Sequence, residues 1–184
     1  MNSNVRKNTL YIVKVAILTA LSVLLIFVLE FPIIPAFPYL RLDFSEVPVL
    51  LGGFALGPAA VVVMEVLKNI IHFFIKNDGT GGVGNLANLI VGIAFCLPAA
   101  WYYMKHKSQK SVYIALGIGA VCMIVAGALA NLFILFPLFG ITEESAVKYT
   151  LLSGIIPFNA IKSVLLSLIV FFVYKPLSPV LHKQ

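Results

Sequence analysis

Long apolar runs alternate with short polar breaks along this chain. A helix that crosses a bilayer takes about 20 mostly apolar residues. The runs predict helices at about 9–29, 46–56, 58–77, 85–104, 112–136 and 149–174, within a single transmembrane unit over 1–184. The second is short, and Gly57-Pro58 separates it from the third by a tight turn. Between the first two lies a Pro-rich, aromatic stretch, 30–45, in which Pro32, Pro35 and Pro38 oppose helix. Residues 78–84 form a polar, Gly-rich loop. The first run follows Arg6 and Lys7 like a secretory leader, but it is too long and no A-x-A-like site follows. A retained helix is expected.

Composition narrows the class. The 184 residues are 61% hydrophobic and 11% charged, and the mean hydropathy is +1.04. A soluble domain carries about 25% charged residues. A soluble enzyme, a disordered tail and a nucleic-acid-binding domain are therefore excluded. The formal net charge of +6 sorts by side instead of forming a patch. With six spans, one face holds Arg6, Lys7, Lys14, Lys105, Lys107, Lys110, Lys175 and Lys183 with no acid. The other holds Glu30, Asp43, Glu46, Asp78, Glu143 and Glu144 with Arg41, Lys76 and Lys148. The positive-inside rule puts both termini in the cytoplasm and makes 30–45 an extracellular lid loop. Tyr11, Trp101, Tyr102, Tyr103, Tyr113 and Tyr174 fit an inner aromatic belt. Fusing 47–76 into one span would strand Lys105–Lys110 outside.

Polar residues within lipid are costly and mark candidate sites. They are Glu46, Glu65, Lys68, Asn69, His72, Asn85, Asn88, Asn131, Asn159 and Lys162. At a rise of about 1.5 Å per residue, Asn131 lies roughly 9 Å and Asn159 roughly 13–15 Å from the outer helix ends. Lys68 lies at a similar depth, so the residues converge on one layer in the outer half. Asn159 and Lys162 share a helix face, as do Lys68 and His72. Pro157 and Gly154 disturb the helix beside that pair. Simpler roles stand beside the binding one. The amides can be interhelical glue, Glu65 can pair with Lys68 at i,i+3, His72 can be a wet interfacial residue, and Pro157 a packing kink.

Other chemistry is missing. Cys96 and Cys122 sit in apolar runs without metal-ligand spacing, so neither a disulfide framework nor a metal site is expected. Gly79, Gly81 and Gly84 match G-x-G-x-x-G but follow a membrane helix, not a strand, so the dinucleotide reading fails. No P-loop, H-E-x-x-H or G-x-S-x-G occurs, and no catalytic set is visible. Small residues pair at helix-packing spacing at Ala16/Ala20, Gly53/Gly57 and Ala126/Ala130.

The stretch Leu42-Asp43-Phe44-Ser45-Glu46-Val47-Pro48 resembles the L-D-F-S-[DE]-[VI]-P segment of bacterial riboflavin uptake proteins. The likeness continues through Gly57-Pro58, Lys68-Asn69 with His72, Gly82-Val83-Gly84 with Ala87-Asn88, and Pro157-Phe158-Asn159 with Lys162. Nearly the whole chain is similar, in order, to the riboflavin-binding S components of energy-coupling factor (ECF) transporters. Ala60 departs from the expected G-P-x-x-G. The resemblance implies six helices, riboflavin as transported substrate with no cofactor, and partnership with a transmembrane T component and two ATPase subunits. It implies docking of the T component on Ala16 and Ala20. Together with the outer-half polar layer it points to a ligand set of Glu46, Asn131, Asn159, Lys162, Asn88, Asn85 and Lys68, in which Asn131 rests on its depth more than on a motif. Asn131 and Asn159 would hold the flavin ring edge, Lys162 would donate to a carbonyl, and Glu46 would serve nearer the mouth. The amides suit an edge with both donors and acceptors. An S component for another vitamin and an ion-coupled secondary transporter remain alternatives at this point, although no inverted repeat is evident and Glu65 is the one deep acid. A lipid-modifying membrane enzyme would need a nucleophile or metal cluster.

Overall fold

The computed structural model of the protein describes residues 3–76 and 81–181. The positions of Asp78, Gly79, Thr80 and Lys183, used above for the topology and the glycine motif, lie outside the described residues. The elements are α1 (Ser3–Val28), a two-residue antiparallel pair β1 (Phe31–Pro32) and β2 (Arg41–Leu42), α2 (Glu46–Leu56), α3 (Pro58–Ile75), α4 (Val83–His106) and α5 (Gln109–Ala130). A π-helical segment, π1 (Asn131–Leu135), joins α5 to α6 (Phe136–Leu138). A second, π2 (Leu151–Ile155), joins α7 (Glu144–Thr150) to α8 (Ile156–Leu181). Among the described residues, five continuous helices are long and apolar enough to cross a membrane: Val5–Val28, Pro58–Ile75, Val83–His106, Gln109–Leu138 and Glu144–Pro176.

Several helices run past the expected limits. α1 begins at Ser3 instead of residue 9, and α4 covers Val83–His106 instead of 85–104. The last two rods extend similarly, while α3 stops at Ile75, short of 77. Hydropathy marks where lipid begins, whereas polar residues continue a helix as long as its i→i−4 bonds persist. Ends are set by local chemistry. Ser108 caps α5 by accepting from Ser111 N at 3.1 Å, and Gly82 opens α4 at φ +90°.

α2 is the central element. Residues Glu46 to Phe54 are all buried. Gly57, at φ +97°, turns the chain directly into α3, with Pro58 in the first helical turn. α2 packs very closely on both α3 and α4: a Cβ on Gly53 would lie 2.6 Å from Val61 of α3 and 2.8 Å from Ala100 of α4. In lipid such close packing, not water exclusion, holds helices together. Val49, Leu50, Phe54, Met64, Phe95, Ala99, Met123 and Leu166 form the core. Ile12, Ile17, Phe74, Val121, Phe133 and Phe172 point outward, as lipid-facing positions do. Trp101 and Tyr113 are exposed as belt residues, and Lys105 Nζ lies 3.6 Å over the Trp101 ring. Tyr103 and Tyr174 depart from the belt expectation. Both are buried against Phe54, and their hydroxyls hydrogen-bond at 2.6 Å.

Candidate functional site

At the end of the bundle where α3 finishes and α4 begins, a cavity of about 360 Å³ lies under the 31–42 segment. That volume falls within the roughly 300–1,000 Å³ of small-molecule sites. Pro38, Tyr39, Leu40 and Arg41 roof it. Ile26, Leu135, Ile155 and Phe158 provide apolar walls, and Asn85, Asn88, Asn131, Asn159 and Lys162 reach into it. The lid is anchored at two points. Glu30 at the end of α1 pairs with Arg41 at 3.2 Å and with Lys76 beyond α3. Phe37 packs its ring where a Cβ on Gly154 would lie 3.0 Å away, and it stands 5.8 Å from the Tyr149 ring.

The two π-helical segments flank the cavity and lie against each other. A π turn widens the helix and reorients its side chains. Asn131, the first residue of π1, donates Nδ2 to Gly127 O at 2.8 Å. Asn159, the fourth residue of α8, donates Nδ2 to Ile155 O at 2.9 Å inside π2. Each amide nitrogen is thus held by the backbone, and each Oδ1 is left as an acceptor. Gly127 also makes room for Asn159, since a Cβ there would lie 2.5 Å from Asn159 Nδ2.

Behind this wall runs a buried chain of charges. Lys162 Nζ donates to Asp43 Oδ2 at 2.9 Å, Glu46 Oε1 at 3.1 Å and Asn88 Oδ1 at 3.2 Å. Lys68 Nζ lies 3.5 Å from the same Glu46 oxygen and 2.8 Å from Glu65 Oε2. A Cβ on Gly92 would sit 2.6 Å from Glu65 Oε2, so that glycine admits the carboxylate. Asp43 accepts from both the backbone N–H (2.9 Å) and the hydroxyl of Ser45, a turn that leads into α2. Burial opposes the Asp43 charge, but the Lys162 and Lys68 ammoniums and the Ser45 hydroxyl hold its carboxyl well below the usual carboxylate range. Buried charges persist only when paired in this way.

The expected residues separate into two groups. Asn85, Asn88, Asn131, Asn159 and Lys162 come together at the cavity. Glu46 and Lys68 do not. Both are fully buried, and Glu46, expected nearer the mouth, stands behind Lys162. The reason is that α2 begins at Glu46 inside the bundle, not at its rim. Lys68 instead realises the i,i+3 pairing with Glu65. His72, expected as a wet interfacial residue, is 4% exposed, lines the cavity and bonds Asn85. Asp43, Glu30 and Gly127 were not picked out as site residues. Asp43 stood within the L-D-F-S motif, which was a usable signal. Gly127 gave none, because its contact depends on how α5 meets α8. Ala16 and Ala20 lie exposed on α1, away from the cavity lining.

Comparison with known proteins accords with this geometry. The family model for the substrate-specific component of ECF transporters matches residues 10–174. The riboflavin transporter RibU of Staphylococcus aureus (strain TCH60) is 34% identical over 177 residues, covering 94% of this chain and 92% of its own. The riboflavin transporter FmnP of Bacillus subtilis (strain 168) is 30% identical over 181 residues, with 94% of each chain covered. A solved structure of the S component of a bacterial ECF transporter superposes with a TM-score of 0.82 at 33% identity, over 96% of this chain and 99% of that one. A bundle with a lidded polar cavity, matched along nearly its whole length by that model and those relatives, belongs to the substrate-specific component family of ECF transporters.

Proposed function

We propose that this chain is one transmembrane unit that captures riboflavin for uptake as the substrate-specificity subunit of an ATP-driven ECF vitamin transporter. It is a multi-pass protein of the bacterial plasma membrane, and a transporter component, not an enzyme. The observation that carries the reading is the cavity itself: amide oxygens of Asn131 and Asn159 and the Lys162 ammonium converge in it under an aromatic lid. The named relatives are riboflavin transporters, and the flavin ring edge offers an N–H donor between two carbonyl acceptors. The amide oxygens accept the N–H. Lys162 serves a carbonyl, but its three donors are already used by Asp43, Glu46 and Asn88. Asn88 holds the longest of these contacts and is only half-buried. A flavin carbonyl therefore takes the place of Asn88 Oδ1 on Lys162. Asp43 and Glu46 keep the ammonium charged and aimed, and Lys68 and Glu65 balance Glu46 in turn.

In this reading α2 counts as a sixth, half-length span, both termini face the cytoplasm, and the 30–45 segment is the extracellular lid. Energy comes from ATPase subunits through a T component, since the sequence contains no P-loop of its own. The T component docks on the exposed Ala16 and Ala20, whose small side chains admit close helix approach. The experiment is direct. Protein purified in detergent should quench riboflavin fluorescence on titration, with a saturable 1:1 end point. A monodisperse sample that fails to quench at micromolar flavin refutes the assignment.

A further inference from the structure

His72, in the last turn of α3, and Asn85, in the first turn of α4, are 4% and 8% exposed, and both line the cavity. His72 Nδ1 and Asn85 Oδ1 are 2.6 Å apart. An amide oxygen only accepts, so Nδ1 carries the hydrogen and donates. The neutral imidazole then has a bare acceptor at Nε2, and Asn85 has a bare donor at Nδ2. Both atoms are buried and have no partner among the described residues. Turning the Asn85 amide over exchanges the two roles but still leaves one donor and one acceptor. A buried polar atom without a partner is destabilising, and two such atoms on neighbouring residues at a cavity wall mark a ligand-reading position. The complementary group both donates and accepts. A hydroxyl does so, whereas carboxylate, phosphate and ammonium do not.

We propose that His72 and Asn85 are the specificity pair for the hydroxyls of the ligand's polyol chain, a role that rests on the riboflavin reading above. The placement agrees. Asn131, Asn159 and Lys162, assigned to the ring edge, come from π1 and α8, while His72 and Asn85 come from α3 and α4. The ring and its tail thus meet different walls. The Phe27 ring, 5.3 Å from the imidazole, keeps His72 in place from the α1 side.

The test compares riboflavin with lumiflavin, which has the same ring but a methyl group in place of the polyol. Both are titrated by fluorescence quenching against wild type, His72→Leu, Asn85→Leu, His72→Gln and Asn159→Leu, each first shown to be monodisperse and thermally folded. His72→Leu and Asn85→Leu should weaken riboflavin about tenfold or more and leave lumiflavin unchanged. His72→Gln, which still offers a donor and an acceptor, should regain most of the loss. Asn159→Leu should weaken both flavins alike. Equal losses for both flavins in His72→Leu, or no loss for riboflavin, overturn the proposal while leaving the riboflavin reading intact. Wild type that binds neither flavin overturns that reading and this one with it. Should His72→Leu fail to fold, Asn85→Leu and His72→Gln carry the same comparison.

Discussion

Replacing Gly127 with alanine tests the seat of Asn159 without removing any polar group from the cavity. The new methyl would lie 2.5 Å from Asn159 Nδ2 and 2.9 Å from its Cγ. Ordinary contacts between such atoms begin near 3.4 Å, so the amide has to withdraw by about 1 Å, the difference between the two distances. Its bond to Ile155 O, now 2.9 Å, is stretched or lost, and Oδ1 leaves its present aim. A hydrogen bond lost to a buried partner costs on the order of 1–3 kcal/mol. Each 1.4 kcal/mol is about tenfold, so flavin affinity should fall roughly 5- to 150-fold. Stability should fall by about 0–2 kcal/mol, because the loss of the Ile155 bond is offset in part by alanine's better helix propensity, worth up to about 1 kcal/mol. Gly117, on the same helix with nothing within 4 Å of a built Cβ, supplies the control. Its alanine variant should bind normally. Fluorescence quenching titrations and thermal unfolding of the purified variants give both numbers. Retention of wild-type affinity by Gly127→Ala, within twofold, would refute the claim that this glycine seats Asn159.

Lys162→Met should be costly for folding as well as binding. It leaves Asp43 without its 2.9 Å partner and should lose about 3–5 kcal/mol, part of it recovered by adding Asp43→Asn. Equal thermal stability in the single and double variants would disprove charge pairing as the cause. Phe37→Ala removes the ring between Tyr39 and Tyr149, at 6.1 and 5.8 Å. Aromatic pairs are worth about 0.5–1.5 kcal/mol, so stopped-flow release of flavin should quicken by about two- to tenfold with association nearly constant. An unchanged off-rate would remove the lid from the binding account. Ala16→Trp with Ala20→Trp should block ATP-driven uptake in the assembled transporter and leave flavin binding by the isolated subunit intact. Lost binding in a folded sample would move those alanines out of the docking surface.

The helices were legible because lipid demands long apolar runs, and the convergence of Asn131, Asn159 and Lys162 was legible because a polar side chain in such a run needs a reason. Depth along a helix follows from residue counting, which is why those three fell into one layer. Rotation and register between helices do not follow from counting. That is why Gly127 was invisible as the seat of Asn159, and why His72 and Asn85, on different helices, could not be paired from sequence. Glu46 was misplaced for a related reason. A charge at the start of an apolar run looks like a rim residue unless it is known that α2 starts within the bundle. The π turn at Leu151 falls in the stretch that Gly154 and Pro157 marked as irregular, whereas the one at Asn131 had no such mark.

Helix α2 has 11 residues and its antiparallel neighbour α3 has 18. The difference of seven residues is a missing column about 10 Å tall, beginning at the level where Glu46 meets Lys68. Above that level α3 still presents Asn69 and His72, but no α2 lies opposite them. The cavity is therefore the unbuilt end of a helix, with the Asp43–Ser45 turn as its stump. A molecule that fills it occupies the volume of two missing turns and completes the packing of its neighbours. The depth of the site is thus governed by chain length in one helix, independently of the side chains that read the ligand. Lengthening α2 by one turn would raise its Asp43–Ser45 stump by about 5.4 Å and fill the chamber, drawing Asp43, itself part of the lining, away from Lys162.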